Sequence, residues 1–480
     1  MNTARLSDLV QRDLPVDPMI EGVTADSRQV RPGWLFAALP GASADGKRFV
    51  PAAVQSGAAA VIANDELPGL AAPVVKVADP RRAYALAAAA FWGAQPRTCV
   101  AVTGTNGKTS VAGFCRQIFQ HAGRASASMG TLGVRAGELQ LQPPGLTTPD
   151  AADVARTLAE LATGGVTHLA LEASSHGLDQ RRLDGVKLKA AAFLNLTQDH
   201  LDYHGTMGAY RAAKLRLFEA LLPRGGVAVL NADSDSYPAF AAVAVTHGQS
   251  ILSVGEAGQG IKLLERTADP AGQKLALRVL GRRRDVRLPL VGAFQAANAL
   301  AAAGLCIAAG EDVDAVLAAL ESLEGASGRL QLVGSGPRGG EAYVDYAHTP
   351  DGLVTVLAAL RPHVQGRLIV VFGAGGDRDR GKRPLMGAAA AQGADIAIVT
   401  DDNPRSEDPA AIRAEVLAGA PGLIEVAGRR EAIVHATGLM QAGDILVIAG
   451  KGHEPGQIIG SEILPFDDVE ETQRALGTTQ

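Results

Sequence analysis

Residues 97–123 read RTCVAVTGTNGKTSVAGFCRQIFQHAG. An apolar run (residues 99–102) passes into a loop of small residues and then into an amphipathic stretch, so the segment predicts strand, loop, helix. The continuous apolar run suits a strand buried on both faces of a parallel sheet. The loop TGTNGKTS has few bulky side chains, which lets its backbone N–H groups approach phosphate oxygens at the positive end of the following helix. Lys108 is then placed to reach the outer phosphates and Thr109 to ligate Mg²⁺, with Gly104, Thr105, Asn106, Gly107 and Ser110 completing the cradle. The general pattern has a Gly six residues before the Lys. Val102 stands there, so the match is to the shorter form GTNGKT. No NKxD guanine motif accompanies it, which favours ATP over GTP.

Further strands are expected over 167–171, 190–196 and 227–230, with helices over 150–163 and 207–222. Alternating strands and helices imply a parallel sheet. Before this unit, VTADSR (23–28) and WLFAALPG (34–41) read as short strands ending in turns. Residues 49–63 read as a helix and a strand, and 81–93 as an Ala-rich helix. After it, RLIVVFGAGGD (367–377), ADIAIVTDDNPR (394–405) and DILVIAGKGHE (444–454) each run from an apolar strand into a polar turn. That pattern matches a doubly wound sheet, whose ligands gather beyond the carboxyl ends of its strands. The expected fold class is α/β in three domains: a small N-terminal α/β domain at 1–90, a central P-loop parallel-sheet domain at 91–326, and a C-terminal Rossmann-like domain at 327–480.

The 480 residues match about three domains at roughly 150 residues each. A net charge of -5 argues against nonspecific nucleic-acid binding, which needs clustered positive charge. Cys99, Cys115 and Cys306 form no CxxC pair, so no disulfide framework or structural zinc is expected and a reducing compartment is favoured. The opening MNTARLSDLVQRDLP has no apolar signal core, and the apolar stretch 293–310 carries Gln295 and Asn298. A soluble cytoplasmic protein without membrane insertion is expected.

Four residues carry a chemical reading of their own. Glu172 closes the apolar run HLALE, and a carboxylate at a strand end beside a phosphate loop is a common Mg²⁺ ligand. His200 and His204 are four apart, a weak zinc-type spacing without an HExxH context. Lys214 falls on the apolar stripe of helix 207–222 with Tyr210, Leu217, Phe218 and Leu221. A lysine there must snorkel, pair or lose its charge. A buried neutral amine can add CO₂ and become a carbamate, which turns a cation into an anionic metal ligand.

TGTNGKT resembles the ATP loop of the Mur ligases, and folylpolyglutamate synthetases have a related loop. The rest of the chain sharpens the resemblance. ADSR, ALPG, LTTPD, EASSHGLDQRR, LNLTQDHLDYHG, AAK, DYAHTPDGL, GAGGDRDRGKRP, DDNPR and GKGHE occur in order across all three units. The resemblance implies an ATP-dependent acid–amino-acid ligase of peptidoglycan precursor synthesis, and thus of cell wall, cell shape and cell division. Its substrates would be ATP, UDP-N-acetylmuramoyl-L-Ala-D-Glu and meso-2,6-diaminopimelate, and a monomer is expected. It assigns His200 to a second Mg²⁺ and makes Lys214 the carbamylated lysine, so that Thr109, Glu172, His200 and Lys214 serve two ions. Lys108, Glu172, His200 and Lys214 form the catalytic set. Ala25, Ser27, Thr147, Thr148, Ser174, Gln180 and Arg182 fall to the UDP-linked substrate. Asn298, Arg329 and Asp345 fall to adenine, phosphate and ribose, with closure of the third domain completing the nucleotide site.

The incoming amino acid is assigned to Arg378, Asp402, Asn403, Pro404, Arg405, Gly450 and Glu454. Arg405 can hold a carboxylate by two parallel N–H bonds. Diaminopimelate carries a carboxylate at its distal end where lysine has only an ammonium, so an Arg favours the former. Glu454 would pair with the distal ammonium. His348 in DYAHTPD is a candidate general base. Two rivals are a folate- or lysine-adding ligase with the same ATP core, and a P-loop ATPase that acts as a switch and forms no amide.

Overall fold

The computed structural model describes residues 2–41, 45–137, 139–141, 146–269 and 272–477. The chain divides into two compact units. One comprises Met1–Lys262, Arg278–Arg282 and Ala299–Ala319; the other comprises Leu263–Leu277, Arg283–Asn298 and Leu320–Gln480.

The first unit opens with a four-stranded, all-parallel sheet in the order Gly22–Thr24, Trp34–Ala37, Ala60–Ala63, Val74–Lys76. Leu35, Ala37, Ala60 and Ile62 bury one face against the helix Pro80–Trp92, whose Asp79 cap accepts from the Arg82 N–H. The Pro at its first position lacks an N–H that would be unsatisfied there in any case.

Among the described residues, the larger sheet has eleven strands, of which the first eight run Leu139–Leu141, Gly133–Ala136, Ser126–Gly130, His168–Glu172, Thr98–Thr103, Leu188–Phe193, Val227–Asn231, Ser250–Gly255. The first pairings are antiparallel, and from Ser126–Gly130 onward they are parallel. Thr98–Thr103 is central and its residues 99–103 are buried, as the continuous apolar run predicts. The strand expected over 190–196 ends at Phe193, which leaves residues 194–200 as an irregular segment beside the phosphate loop. The helix expected over 207–222 is α-helical over Met207–Arg216 and closes in a π turn, Leu217–Leu221, which buries Leu217, Phe218 and Leu221.

The second unit contains a sheet in the order Gln331–Ser335, Glu341–Asp345, Ile445–Ala449, Leu368–Ala374, Ile396–Asp401, Ile424–Glu425. Its first pairing is antiparallel and the rest are parallel. Apolar clusters cover both faces, one under helices Pro350–Leu360 and Lys382–Gly393, the other under Arg429–Leu439 and Asp468–Leu476. Three long strands, Ile261–Asp269, Gly272–Val279 and Arg282–Leu288, have no counterpart in the sequence reading. Their charged, largely exposed residues (Arg282, Arg283, Asp285 and Arg287 among them) mask the alternation that marks a strand. Among the described residues, no helix is long and apolar enough to cross a membrane.

Candidate functional site

In the first unit the candidate residues gather at the carboxyl ends of adjacent parallel strands. The phosphate loop leaves Thr98–Thr103 and feeds helix Lys108–His121 through Gly107, whose φ of 91° places it in the left-handed region open to glycine. The loop is pinned from the next strand end. Thr105 N donates to Asn195 O at 3.0 Å, Asn106 N donates to Asn195 Oδ1 at 2.9 Å, and Asn195 Nδ2 donates to Asn106 O at 3.1 Å. Lys108 Nζ donates to the Gly104 and Thr105 carbonyls, each at 2.9 Å. Ser110 is buried in the first turn of the helix.

Glu172 is 4% exposed. Its Oε2 accepts from Thr109 Oγ1 at 3.0 Å and from Thr131 Oγ1 at 3.2 Å, while Oε1 accepts from Thr131 N at 2.9 Å. Burial raises its pKa, against the opposing pull of Lys108 and these hydrogen bonds. Gly130 leaves room for the carboxylate: a Cβ there would stand 2.1 Å from Glu172 Oε1. A buried carboxylate beside the Thr109 hydroxyl and the phosphate loop is a hard-oxygen donor set suited to Mg²⁺. Among the described residues, no group of three or more His, Cys, Asp or Glu is arranged to hold a metal.

Lys214 lies beside the same loop. Its side chain is 1% exposed, on the apolar stripe. Its Nζ donates to Gly104 O of the phosphate loop at 2.8 Å and lies 4.4 Å from the centre of the Tyr210 ring. Burial first, and Lys108 second, bring its pKa down to about 6, so the neutral amine prevails at neutral pH. Tyr210 also shares a hydrogen bond with Thr105 Oγ1 at 3.2 Å, which ties the lysine's helix to the loop.

His200 takes a left-handed backbone (φ 52°) as the cap of the short helix Leu201–His204, and its N–H donates to Asp199 Oδ1 at 2.8 Å. Its ring centre is 4.9 Å from that of His176, which lies 4.1 Å from Tyr203 and 5.4 Å from His204. Desolvation lowers the pKa of both His176 and His204, and the neighbouring imidazoles add to it. His204 engages Ser175 Oγ at 3.0 Å.

The residues assigned to the UDP-linked substrate divide in two. Thr148 and Ser174 have inward hydrogen bonds. Thr148 Oγ1 donates to Glu172 O at 3.0 Å and accepts from Ser174 N and Oγ at 3.1 and 2.9 Å. Ser174 Oγ also caps helix Ser175–Asp179. These hydroxyls hold the backbone in place. Gln180 and Arg182 form a relay: Tyr203 OH accepts from Gln180 Nε2 at 3.1 Å, and Gln180 Oε1 accepts from Arg182 at 2.7 Å. Arg182 also donates to Thr148 O at 2.6 Å. Thr147 Oγ1 shares a hydrogen bond with Thr131 Oγ1 at 3.0 Å. Ala25 and Ser27 are half-buried and flank Asp26, whose side chain caps the turn Ser27–Gln29.

In the second unit the assigned residues again lie beyond strand ends. Asp345 ends Glu341–Asp345, Arg378 follows Leu368–Ala374, the DDNPR turn follows Ile396–Asp401, and Gly450 and Glu454 follow Ile445–Ala449. Asp345 is buried, and its oxygens accept from Leu330 N and Ala347 N, both at 2.8 Å. Desolvation raises its pKa against the opposing pull of Arg329. Arg329 lies over the Tyr346 ring at 4.8 Å, and its carbonyl accepts from Gln295 Nε2 at 3.2 Å. Asn298 donates to Gln295 Oε1 at 3.4 Å, the partner that a buried amide on an apolar helix requires. His348 is exposed, with Nδ1 2.8 Å from Tyr346 O.

The DDNPR turn is anchored on all sides. Arg405 has φ 51°, and its guanidinium donates to Gly376 O at 2.8 Å. Asn403 Nδ2 donates to Glu454 Oε2 at 3.0 Å. Pro404 packs against Gly376: a Cβ added to that glycine would stand 1.9 Å from the Pro404 carbonyl oxygen. Gly450 takes φ 128° beside Asp402, where a Cβ would come within 2.7 Å of Asp402 Oδ2. Arg378 is exposed.

Several residues of these clusters escape the sequence reading: Thr131, Asn195, Tyr203 and Tyr210 in the first unit, and Lys451, Arg429 and Asp468 in the second. Four of them had a visible signal: Lys451 stands in GKGHE between two chosen residues, Asn195 and Tyr203 stand in LNLTQDHLDYHG, and Tyr210 shares the apolar stripe of Lys214.

Family models match three stretches: "Mur ligase family, catalytic domain" over 19–92, "Mur ligase middle domain" over 102–306 and "Mur ligase, glutamate ligase domain" over 328–452. A protein of Caulobacter vibrioides called UDP-N-acetylmuramoyl-L-alanyl-D-glutamate–2,6-diaminopimelate ligase is 68% identical, with 99% of each chain covered. A protein of the same name from Bradyrhizobium diazoefficiens is 52% identical, again over 99% of each. A solved structure, likewise titled as that ligase, is 36% identical with a TM-score of 0.78 and 99% of each chain covered.

Proposed function

The chain belongs to the Mur ligase family, with its three-domain α/β architecture, and from that premise we propose which ligation it performs and with which residues. It is an ATP-dependent ligase that joins meso-2,6-diaminopimelate to UDP-N-acetylmuramoyl-L-Ala-D-Glu in building the peptidoglycan of the cell wall. Through that wall it serves cell shape, division and the cell cycle. The full-length likeness to ligases of that name supports the substrate pair. The observation that carries the chemistry is Lys214, an enclosed amine 2.8 Å from the phosphate-loop carbonyl of Gly104. A switch ATPase has no use for it. The functional partition is 1–90 for the UDP-linked substrate, 91–326 for ATP and 327–480 for the amino acid.

The terminal phosphoryl group of ATP passes to the glutamyl carboxylate, giving an acyl phosphate and ADP. The amine of diaminopimelate attacks the acyl carbon, and collapse of the tetrahedral adduct expels phosphate and leaves the amide. Lys108 and the loop N–H groups hold the phosphates, so positioning and electrostatics do most of the work. Thr109, Glu172, His200 and a carbamate on Lys214 would hold two Mg²⁺ ions, which neutralise charge on the transferring group. Carbamylation forms a bond from the Lys214 nitrogen to the carbon of CO₂ and releases one proton. Arg405, Asn403 and Glu454 receive the distal zwitterion of diaminopimelate, with Arg378, Asp402, Pro404 and Gly450 shaping the pocket. Asn298, Arg329 and Asp345 serve the nucleotide. Nucleotide substrates and three buried thiols suit a reducing cytoplasm.

The test is an amino-acid panel with ATP, Mg²⁺ and the UDP-muramoyl dipeptide, read by phosphate release and product mass. Amide formation with meso-diaminopimelate well ahead of lysine is expected. Equal use of lysine removes the selectivity, and phosphate release without any amide removes the ligase.

A further inference from the structure

The turn DDNPR and the strand end GKGHE meet at a fully enclosed lysine. Lys451 is 0% exposed. Its Nζ donates to Asn403 Oδ1 at 3.0 Å and lies 3.4 Å from Glu454 Oε2. Asn403 Oδ1 also accepts from Ile458 N at 2.9 Å, while its Nδ2 donates to the same Glu454 Oε2 at 3.0 Å. Asn403 is 4% exposed, whereas the Glu454 side chain keeps 38% of its surface.

Two consequences follow from donor chemistry. An ammonium has donors only, so it holds the amide oxygen of Asn403 toward itself and turns the amide nitrogen toward Glu454. A buried ammonium also needs a counter-ion; Glu454 is the carboxylate in direct contact, and Asp468 lies within the longer range of its charge. Arg429, the other buried cation here, is held by Asp468 at 2.7 Å through both Nε and a terminal nitrogen. It also donates to Ala449 O at 3.0 Å and lies 3.9 Å from Asp402, and its charge adds to the field at Glu454 without a direct bond. Lys382, near Asp402 and half-buried, donates to His348 O at 3.0 Å.

We infer that Lys451 is the positioning and selectivity residue of the amino-acid pocket: it sets the orientation of Asn403 and cancels part of the charge of Glu454. The inference rests on the assignment of Asn403, Arg405 and Glu454 to the incoming amino acid. With Lys451 in place, Arg405 and a part-neutralised Glu454 match a distal group bearing both signs. Without it, the unbalanced carboxylate favours a distal group that is purely cationic, and discrimination against lysine falls.

Lys451→Met and Lys451→Gln separate the two effects. Both are compared with wild type for thermal unfolding and for the KM of diaminopimelate, lysine, ATP and the UDP-dipeptide. In Lys451→Met the diaminopimelate KM should rise about tenfold, the scale of one charge-assisted hydrogen bond. ATP and dipeptide values should stay within about twofold, the spread of sites more than ~7 Å apart, and the diaminopimelate-to-lysine ratio of kcat/KM should drop. Lys451→Gln keeps a donor for Asn403, so it should recover much of the KM while still losing discrimination. A wild-type enzyme that forms no amide with diaminopimelate overturns the functional reading itself. An active wild type with folded variants of unchanged KM and ratio overturns the role of Lys451. A parallel rise in all KM values also overturns it, since a purely structural lysine would act that way. If Lys451→Met does not fold, Lys451→Gln alone decides by its ratio.

Discussion

Lys214 is where one residue's environment governs the chemistry. Its removal as Lys214→Ala should abolish ligation, with partial return on adding short carboxylates that stand in for the carbamate; phosphate release and product mass read both. A pH effect follows from burial. The folded lysine titrates at about 6 against an ordinary 10.5, so between those values the native state binds fewer protons than the unfolded chain. Stability therefore rises with pH across that window and is level below it. Urea unfolding of wild type in bicarbonate-free buffer should show this slope between pH 6 and 10, and Lys214→Met should lack it. Arg405 makes a second case. Arg405→Ala should raise the diaminopimelate KM by about thirtyfold, the lower end for losing one partner of a desolvated charge pair. The ATP KM should barely move.

Elements set how closely these groups approach. The strand Ser126–Gly130 ends in a glycine because Glu172 fills the space a side chain would take. Gly130→Ala should displace that carboxylate and cut kcat by about a hundredfold, the penalty of roughly 1 Å of misplacement. Single-turnover kinetics would separate this loss from a binding defect. The helices Arg429–Leu439 and Asp468–Leu476 are joined by Arg429 and Asp468, both fully buried. Asp468→Asn should destabilise the protein by about 3 kcal/mol, because the buried guanidinium loses its bidentate partner and keeps only the more distant Asp402. A shift in the urea midpoint without a change in slope is the expected result. Besides the three strands between Ile261 and Leu288, two further features escape the sequence for physical causes of their own. The phosphate-loop clamp uses Asn195, 89 residues from Asn106, and the π turn Leu217–Leu221 keeps an apolar spacing that an α-helix also satisfies.

For the whole molecule, the proposed site residues are shared between two compact units: the phosphate loop and Lys214 belong to one, the DDNPR turn and GKGHE to the other. Nucleotide at about 100 times its dissociation constant should add about 2.7 kcal/mol to stability, visible as a rise in Tm. Light scattering should return the mass of one 49.3 kDa chain. Alternating apolar strands and helices, the phosphate loop and the polar strand ends were legible in the chain itself, because each depends on neighbours within a few residues. The place of Lys214 on an apolar stripe was legible from helical period, but whether it snorkels or is buried was decided by the phosphate loop packed over it. Which hydroxyl turns inward at Thr148, which amide clamps the loop, and which cation sits between Asn403 and Glu454 came only with tertiary contacts. Those partners lie 24 to 89 residues apart. Hydrogen bonds over such distances leave no periodicity in a sequence; they exist only after the strands have aligned their ends.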